Sequence, residues 1–257
     1  MFVSGVISLK YGVKTDRGLK RQLNEDNCNV LVGYPGVPTC FVIADGMGGH
    51  NAGEVASKLA VEKTIEYIKY YFDLSERENL IREAIKISNK HIFDLAQQDS
   101  SLKGMGTTLT ACLVYDKEML VANVGDSGCY VLKQDGLKKI TKDHSLVQQL
   151  IDIGSITEEE ALRHPNKNII TRALGTEEDV EVDIFKIDLR GIEKVILCTD
   201  GLTNMINRDE MQDILLNNNN EDACKKMVEL SKLKGGRDNI SVIVFEGECE
   251  NDRNFTR

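Results

Sequence analysis

The chain has 257 residues, of which 41% are hydrophobic and 28% charged, a balance that excludes a disordered or collagen-like polymer and allows one large domain or two small ones. Its formal net charge of −9 argues against a broad nucleic-acid surface, although bound cations can reverse the local sign of a site and admit an anionic substrate. With only three prolines (Pro35, Pro38, Pro165) and no Gly/Ser-rich tract, no linker is visible and a single domain is expected.

Residues 2–10 and 28–32 read as strands, and the polar stretch 15–27 between them is unsuited to a core element. A Gly-rich turn at 46–49 leads into a helix that Asn51 can cap, with Glu54 three residues on. Val55, Leu59, Ile65, Ile68 and Phe72 keep its helical period. A second helix is expected to open on a capping box at Ser75 and Glu78, with Ile81, Ile85, Ser88, Ile92 and Leu95 as its apolar face. Strands return at 108–115 and 119–124, joined by a hairpin-length connection, and again at 129–133. Residues 141–175 are more polar and carry two short helical patterns. One spans 145–153 and stops at Gly154; the other opens on a capping box at Thr157 and Glu160. Strands at 180–187 and 195–198, helices at 209–216 and 221–233, and a strand at 240–245 complete the pattern. Residues 248–257 read as a polar tail.

Strands in runs, followed by helices in pairs, indicate an α+β fold with antiparallel sheets and not a β-α-β alternation. Seven scattered cysteines with no C-x-x-C pair indicate reduced thiols, not a disulfide framework or a zinc site. The first ten residues hold no apolar stretch long enough for a signal peptide or a membrane span, so a cytoplasmic protein is expected.

Three apolar runs place a carboxylate at their lips: 41–45 ends on Asp45-Gly46, 195–199 on Asp200-Gly201, and Asp238-Asn239 precedes 240–245. One Asp-Gly is ordinary turn chemistry. Three such aspartates, far apart in sequence, can converge and supply the oxygens that a hard divalent cation needs, with water in its remaining positions. Taken singly, each candidate has a plainer reading. Arg21 lies in a basic turn with Arg17 and Lys20, Glu25-Asp26 reads as surface charge, and Asp126 as a hairpin residue. The four histidines read as surface or packing residues, and no Walker-type lysine loop or cysteine-nucleophile phosphate loop is present.

Together the motifs resemble the metal-dependent protein phosphatases, the type 2C serine/threonine family, and most of all its bacterial members. The matching stretches are Arg21-Gln22-Leu23-Asn24-Glu25-Asp26, Ala44-Asp45-Gly46-Met47-Gly48-Gly49, Gly106-Thr107-Thr108, Val124-Gly125-Asp126-Ser127, Cys198-Thr199-Asp200-Gly201-Leu202 and Gly235-Gly236-Arg237-Asp238-Asn239-Ile240. They follow the family's order from about residue 3 to 246. The resemblance implies an α-β-β-α sandwich of two antiparallel sheets flanked by helix pairs over 1–247, with 141–175 as a flap near the site. It implies two cations, Mn²⁺ or Mg²⁺. Asp45 and the Gly46 carbonyl, together with Asp200 and Asp238, would hold them, and Asp126 would help hold a weaker third. Glu25 and Asp26, assisted by Asn239, would hold metal-bound waters, and Arg21 would bind the substrate phosphate. The implied reaction is removal of phosphate from serine and threonine of proteins by a water that bridges two cations. The implied partners are phosphoproteins made by a Ser/Thr kinase, the kinase itself among them; no nucleic acid and no oligomeric partner is implied, and a monomer is expected. Met47 stands where many eukaryotic relatives carry a histidine, which leaves the leaving-group proton unassigned. The rival readings are a two-metal hydrolase for another phosphoester and a silent phosphoprotein-binding scaffold.

Overall fold

The computed structural model describes residues 9–48, 52–72 and 76–247. Most of the expected strand 2–10, the Asn51 cap, His50, Ser75 and the tail 248–257 lie outside that range. Two antiparallel sheets pack face to face. The first runs β1 (Tyr11–Asp16), β11 (Ile240–Glu246), β10 (Lys194–Cys198), β7 (Gly128–Lys133), β8 (Gly136–Lys139). The second runs β2 (Asp26–Leu31), β3 (Thr39–Met47), β5 (Leu109–Tyr115), β6 (Glu118–Val124), β9 (Asp183–Asp188), with the short β4 (Gly106–Thr107) paired to the end of β3.

Period-2 alternation assigns each strand face to a layer. On β3, Phe41 and Ile43 enter the core between the sheets, while Cys40, Val42 and Ala44 face the helices. That double burial explains why the run reads as continuously apolar. Phe41 stacks on Phe245 of β11 across the inter-sheet core, with ring centroids 3.9 Å apart. Helices α1 (Ala52–Tyr71) and α2 (Arg77–Gln98) cover the second sheet. The one-turn α5 (Asp200–Thr203), α6 (Arg208–Leu216) and α7 (Asn220–Leu233) cover the first. The architecture is the α+β sandwich expected from the sequence. Between β8 and β9 the chain forms α3 (Leu146–Asp152), capped by Ser145, and α4 (Glu158–Leu162), opened by the Thr157–Glu160 capping box.

Several boundaries differ from expectation. β1 lies at Tyr11–Asp16 and takes in Thr15 and Asp16 from the polar stretch read as unsuited to a core element. It is an edge strand whose one buried position is Gly12, where a Cβ would meet the Asn220 carbonyl oxygen at 2.4 Å. Hydrophobicity therefore carries no trace of it. β2 begins at Asp26, two residues early. α2 has Glu76 as its N-cap, without a side-chain cap bond; the expected cap at Ser75 lies outside the described residues. Val180 and Val182 are buried against the helix layer but precede β9; their apolar pattern reports burial, not ladder pairing.

Candidate metal centre

The site forms where β2, β3, β10 and β11 end together. The β2–β3 register sets Asp26 directly opposite Asp45. Like charges across a strand pair are ordinarily avoided because they repel at close range. Asp200 opens α5 just past β10, and Asp238 precedes β11. Asp200 lies beside Asp45 and accepts a hydrogen bond from Asn204 Nδ2 at 3.0 Å.

The Asp-Gly pairs are not simple turns. Asp45 and Gly46 lie within β3, and neither Gly46 nor Gly201 has a positive φ. Each glycine permits a close backbone approach instead. A Cβ on Gly46 would stand 2.1 Å from the Gly53 carbonyl oxygen and 2.6 Å from that of Glu25, and one on Gly201 would stand 1.9 Å from that of Asn239. These contacts lock the strand ends that carry Asp45 and Asp200.

The polar stretch before β2 is ordered by hydrogen bonds. Asn239 Oδ1 accepts the Glu25 N–H at 2.8 Å, and its Nδ2 donates to the Arg17 and Leu23 carbonyls at 2.9 and 2.8 Å. The Glu25 carbonyl accepts from Gly46 N–H at 3.1 Å and from Ser57 Oγ at 2.6 Å. Asn239 is thus spent on holding the loop that presents Arg21 and Glu25. The Glu25 carboxylate accepts the Gly53 N–H near the start of α1; desolvation outweighs that bond and holds its pKa above the usual range.

Burial of so many carboxylates has the expected electrostatic consequence. Desolvation first, and then the charges of Asp200 and Asp238, push Asp26 up to about 7 even though Ser241 and Thr199 donate to it. Asp126 is pushed up to about 7 by desolvation, then by Asp200 and Asp143. Asp45 is raised well above the ordinary value by desolvation and by Asp26, Asp200, Asp126 and Asp238. The Oδ1 atoms of Asp26 and Asp126 are buried without a partner. Arg21 provides counter-charge: its Nε lies 2.8 Å from Asp238 Oδ1 and its Nη2 2.9 Å from Oδ2. Asp200 is likewise raised, by desolvation and then by Asp238; from the segment between β8 and β9, Lys167 Nζ donates to Asn204 Oδ1 at 2.6 Å and its charge partly offsets that rise.

The structure therefore brings Asp26, Asp45, Asp126 and Asp200 into one electrostatic cluster, with Glu25 and Asp238 at its edge. Asp238 is turned onto Arg21. Among the described residues no three carboxylate, imidazole or thiolate groups close tightly around one point. The donor set still fits hydrated divalent cations, which take oxygen ligands, keep several waters and need few protein atoms. The two orphaned carboxylate oxygens and the protons forced onto the cluster mark missing positive charge. Met47, half-buried on β3, has its Cε 2.8 Å from where a Gly106 Cβ would lie. Sequence reasoning gave no role to Asn204 or Thr199 and read His144 as a surface or packing residue; Thr199 and His144 take their meaning from Asp26 and Gly125, 173 and 19 positions away.

A family model described as protein phosphatase 2C matches residues 18–230. The chain is 41% identical over 237 residues to the serine/threonine phosphatase Stp of Listeria welshimeri, covering 91% of this chain and 94% of that protein. It is 35% identical over 237 residues to the protein phosphatase PhpP of Streptococcus pneumoniae, covering 91% and 96%. The serine/threonine phosphatase Stp1 of Staphylococcus aureus superposes with a TM-score of 0.90 at 35% identity, over 97% of this chain and 99% of that one. The catalytic domain of the serine/threonine phosphatase PstP in complex with two manganese ions superposes with a TM-score of 0.76 at 33% identity, over 93% and 97%.

Proposed function

The chain belongs to the protein phosphatase 2C family, and on that premise we propose that it is a metal-dependent enzyme that hydrolyses phosphoserine and phosphothreonine in proteins, with the aspartates at the joint end of its two sheets as its cation ligands. One observation carries the reading: four aspartates crowd together, two of them with a buried, unpartnered oxygen. Asp45, the Gly46 carbonyl, Asp200 and Asp238 would hold two cations, Mn²⁺ or Mg²⁺, and Asp126 would help hold a weaker third. Bound there, divalent cations supply acidity to water and neutralise charge that develops on a phosphoryl group.

The remaining work falls to the chain's own side chains. The Arg21 fork, on the exposed rim of the site, suits two nonbridging phosphate oxygens, because a guanidinium offers parallel N–H donors in one plane. Asp26 and Glu25 beside it can hold and orient metal-bound water. Asn239 keeps the Arg21–Glu25 loop in place through three backbone bonds. Residues 1–247 act as one domain in this reading, and 141–175 as a flap that screens substrates. Its support is the reach of Lys167 to Asn204.

The expected substrates are products of a Ser/Thr kinase, the kinase itself among them. One chain carries every side chain the reading uses, so a monomer suffices. No helix among the described residues is long and apolar enough to cross a membrane. The free cysteines, most of them buried, support a cytoplasmic placement.

The test is phosphate release from a phosphothreonine peptide, in Mn²⁺ and in EDTA, by wild type and Asp200→Asn. Release that needs Mn²⁺ and falls at least a hundredfold in the variant is expected. A folded, Mn²⁺-loaded wild type that releases nothing, or a variant as active as wild type, would overturn the assignment.

A further inference from the structure

Under the flap lies a buried polar knot centred on His144, which is 9% exposed. Its Nδ1 accepts the Gly125 N–H at 3.0 Å, and its own backbone N–H donates to the Gly125 carbonyl at 2.9 Å. Gly125, with φ of +106°, is thus gripped on both sides, in a conformation that residues with a side chain rarely adopt. An Nδ1 that accepts leaves the ring proton on Nε2, which lies 3.2 Å from Asp183 Oδ2, the acceptor there, and 3.0 Å from Arg172 Nη1, a donor whose own acceptor is Asp183. Arg172 Nη1 holds the other Asp183 oxygen at 2.6 Å, and its Nη2 pairs with Glu181 at 3.0 Å. The His144 carbonyl accepts the Thr171 N–H at 2.8 Å, so the two ends of the flap meet at this residue.

The peptide that His144 grips leads directly into Asp126, whose Oδ1 is buried and unpartnered. On the other side of Asp126, Ser127 Oγ and Thr108 Oγ1 are 2.8 Å apart, and Thr108 Oγ1 accepts the Asp45 N–H at 2.9 Å. Asp126 is therefore suspended between two anchors. One is a hydroxyl chain to Asp45; the other is the imidazole at the base of the flap.

We propose that His144 is a positioning residue for the Asp126 cation position: by clamping the Gly125 peptide it fixes where the Asp126 carboxylate points, and Asp183 with Arg172 fixes the ring, so the base of the flap is part of the metal site. The inference rests on the reading of Asp126 as a cation ligand. A group that orients a ligand without touching the ion typically changes metal affinity by 10- to 100-fold when removed. Nothing in the local sequence marks the connection, because Gly125 and His144 are 19 positions apart.

The test is calorimetric titration of the full-length protein with Mn²⁺, which needs no turnover. Wild type is compared with His144→Asn, His144→Gln and Asp126→Asn, each first checked for a cooperative melt in EDTA. Asparagine can place an oxygen acceptor where Nδ1 stands. Glutamine places its amide near Nε2 and gives the Gly125 N–H nothing to bond. The expected result is a weak Mn²⁺ step, additional to the tight ones, in wild type and His144→Asn. That step weakens about tenfold or more in His144→Gln and is lost in Asp126→Asn, with the tight steps unchanged. A weak step in His144→Gln equal to wild type, or equal loss in both His144 variants, overturns the positioning role alone. An unchanged isotherm in Asp126→Asn overturns Asp126 as a ligand and the inference with it.

Discussion

In EDTA, replacing Asp126 by asparagine should stabilise the fold, and by an amount that grows with pH. The Asp126 carboxyl is pushed from 3.8 up to about 7 by loss of hydration and by Asp200 and Asp143, and its Oδ1 has no donor to offset that burial. Unfolded, the same group titrates near its ordinary value. The folded chain therefore holds the proton more tightly. The corresponding stability is fully present below about pH 4 and is lost as pH rises through about 7. The gap between 3.8 and about 7 amounts to about 4 kcal/mol. Local relaxation, water entry and the protons already shared among Asp26, Asp45 and Asp200 reduce the expected effect to about 1–3 kcal/mol.

Asparagine keeps the shape of the side chain and carries no charge. Urea unfolding in EDTA should show a variant-minus-wild-type difference that is smallest near pH 4, rises between about pH 4 and 7, and levels off above. At pH 8 the thermal midpoint should be higher in the variant by about 2–12 °C. Added Mn²⁺ should narrow or reverse the order, because a ligand at a hundred times its dissociation constant stabilises the fold by about 2.7 kcal/mol and wild type has the fuller ligand set. A variant no more stable than wild type at pH 8 in EDTA would refute the reasoning, since the carboxylate would then already be compensated within the fold.

Arg21→Ala removes the guanidinium that grips Asp238 at 2.8 and 2.9 Å; steady-state kinetics should show a KM for phosphopeptide raised by about 10- to 100-fold, with Mn²⁺ affinity equal or tighter by calorimetry. Gly46→Ala sets a Cβ 2.1 Å from the Gly53 carbonyl oxygen, and the backbone on both sides leaves no flexible atom to yield. Urea unfolding should show a loss of about 3 kcal/mol, accompanied by weakened Mn²⁺ binding. Phe41→Ala opens the inter-sheet core where the ring stacks on Phe245; it should cost about 3–5 kcal/mol by the same assay and leave Mn²⁺ affinity of the folded protein unchanged.

What could be read in the sequence divides along physical lines. Strands buried on both faces, such as β3, β5, β10 and β11, write their presence as apolar runs, and helices α1, α2 and α7 write theirs as periodicity. β1 is an edge strand with a single buried glycine and writes nothing. The aspartates at strand ends were legible because each interrupts an apolar run. Their real geometry was not: the Asp26–Asp45 register depends on how β2 pairs, and the glycines serve backbone approach where a turn was the plainer reading. Arg21 and Asp238 are 217 positions apart, and His144 takes its importance from Gly125. No local pattern encodes either meeting.

The electrostatics of the site also set the order in which its parts can work. Asp45, Asp26, Asp126 and Asp200 repel one another at the end of the sandwich, and the sheets hold them together although each alone would favour solvent. Local rules of stability are broken where function requires it. Arg21 neutralises one edge of this cluster by bonding both oxygens of Asp238. In the proposed roles, a cation on Asp238 and a phosphate on Arg21 would compete with the same ion pair from its two ends. Breaking the pair for phosphate alone would leave Asp238 as a bare carboxylate beside a second anion. Breaking it for a divalent cation replaces one positive charge by two and leaves the guanidinium free to face an anion. The favourable sequence is cation first and phosphate second, so phosphate affinity should rise with cation loading, and by linkage cation affinity should rise with phosphate.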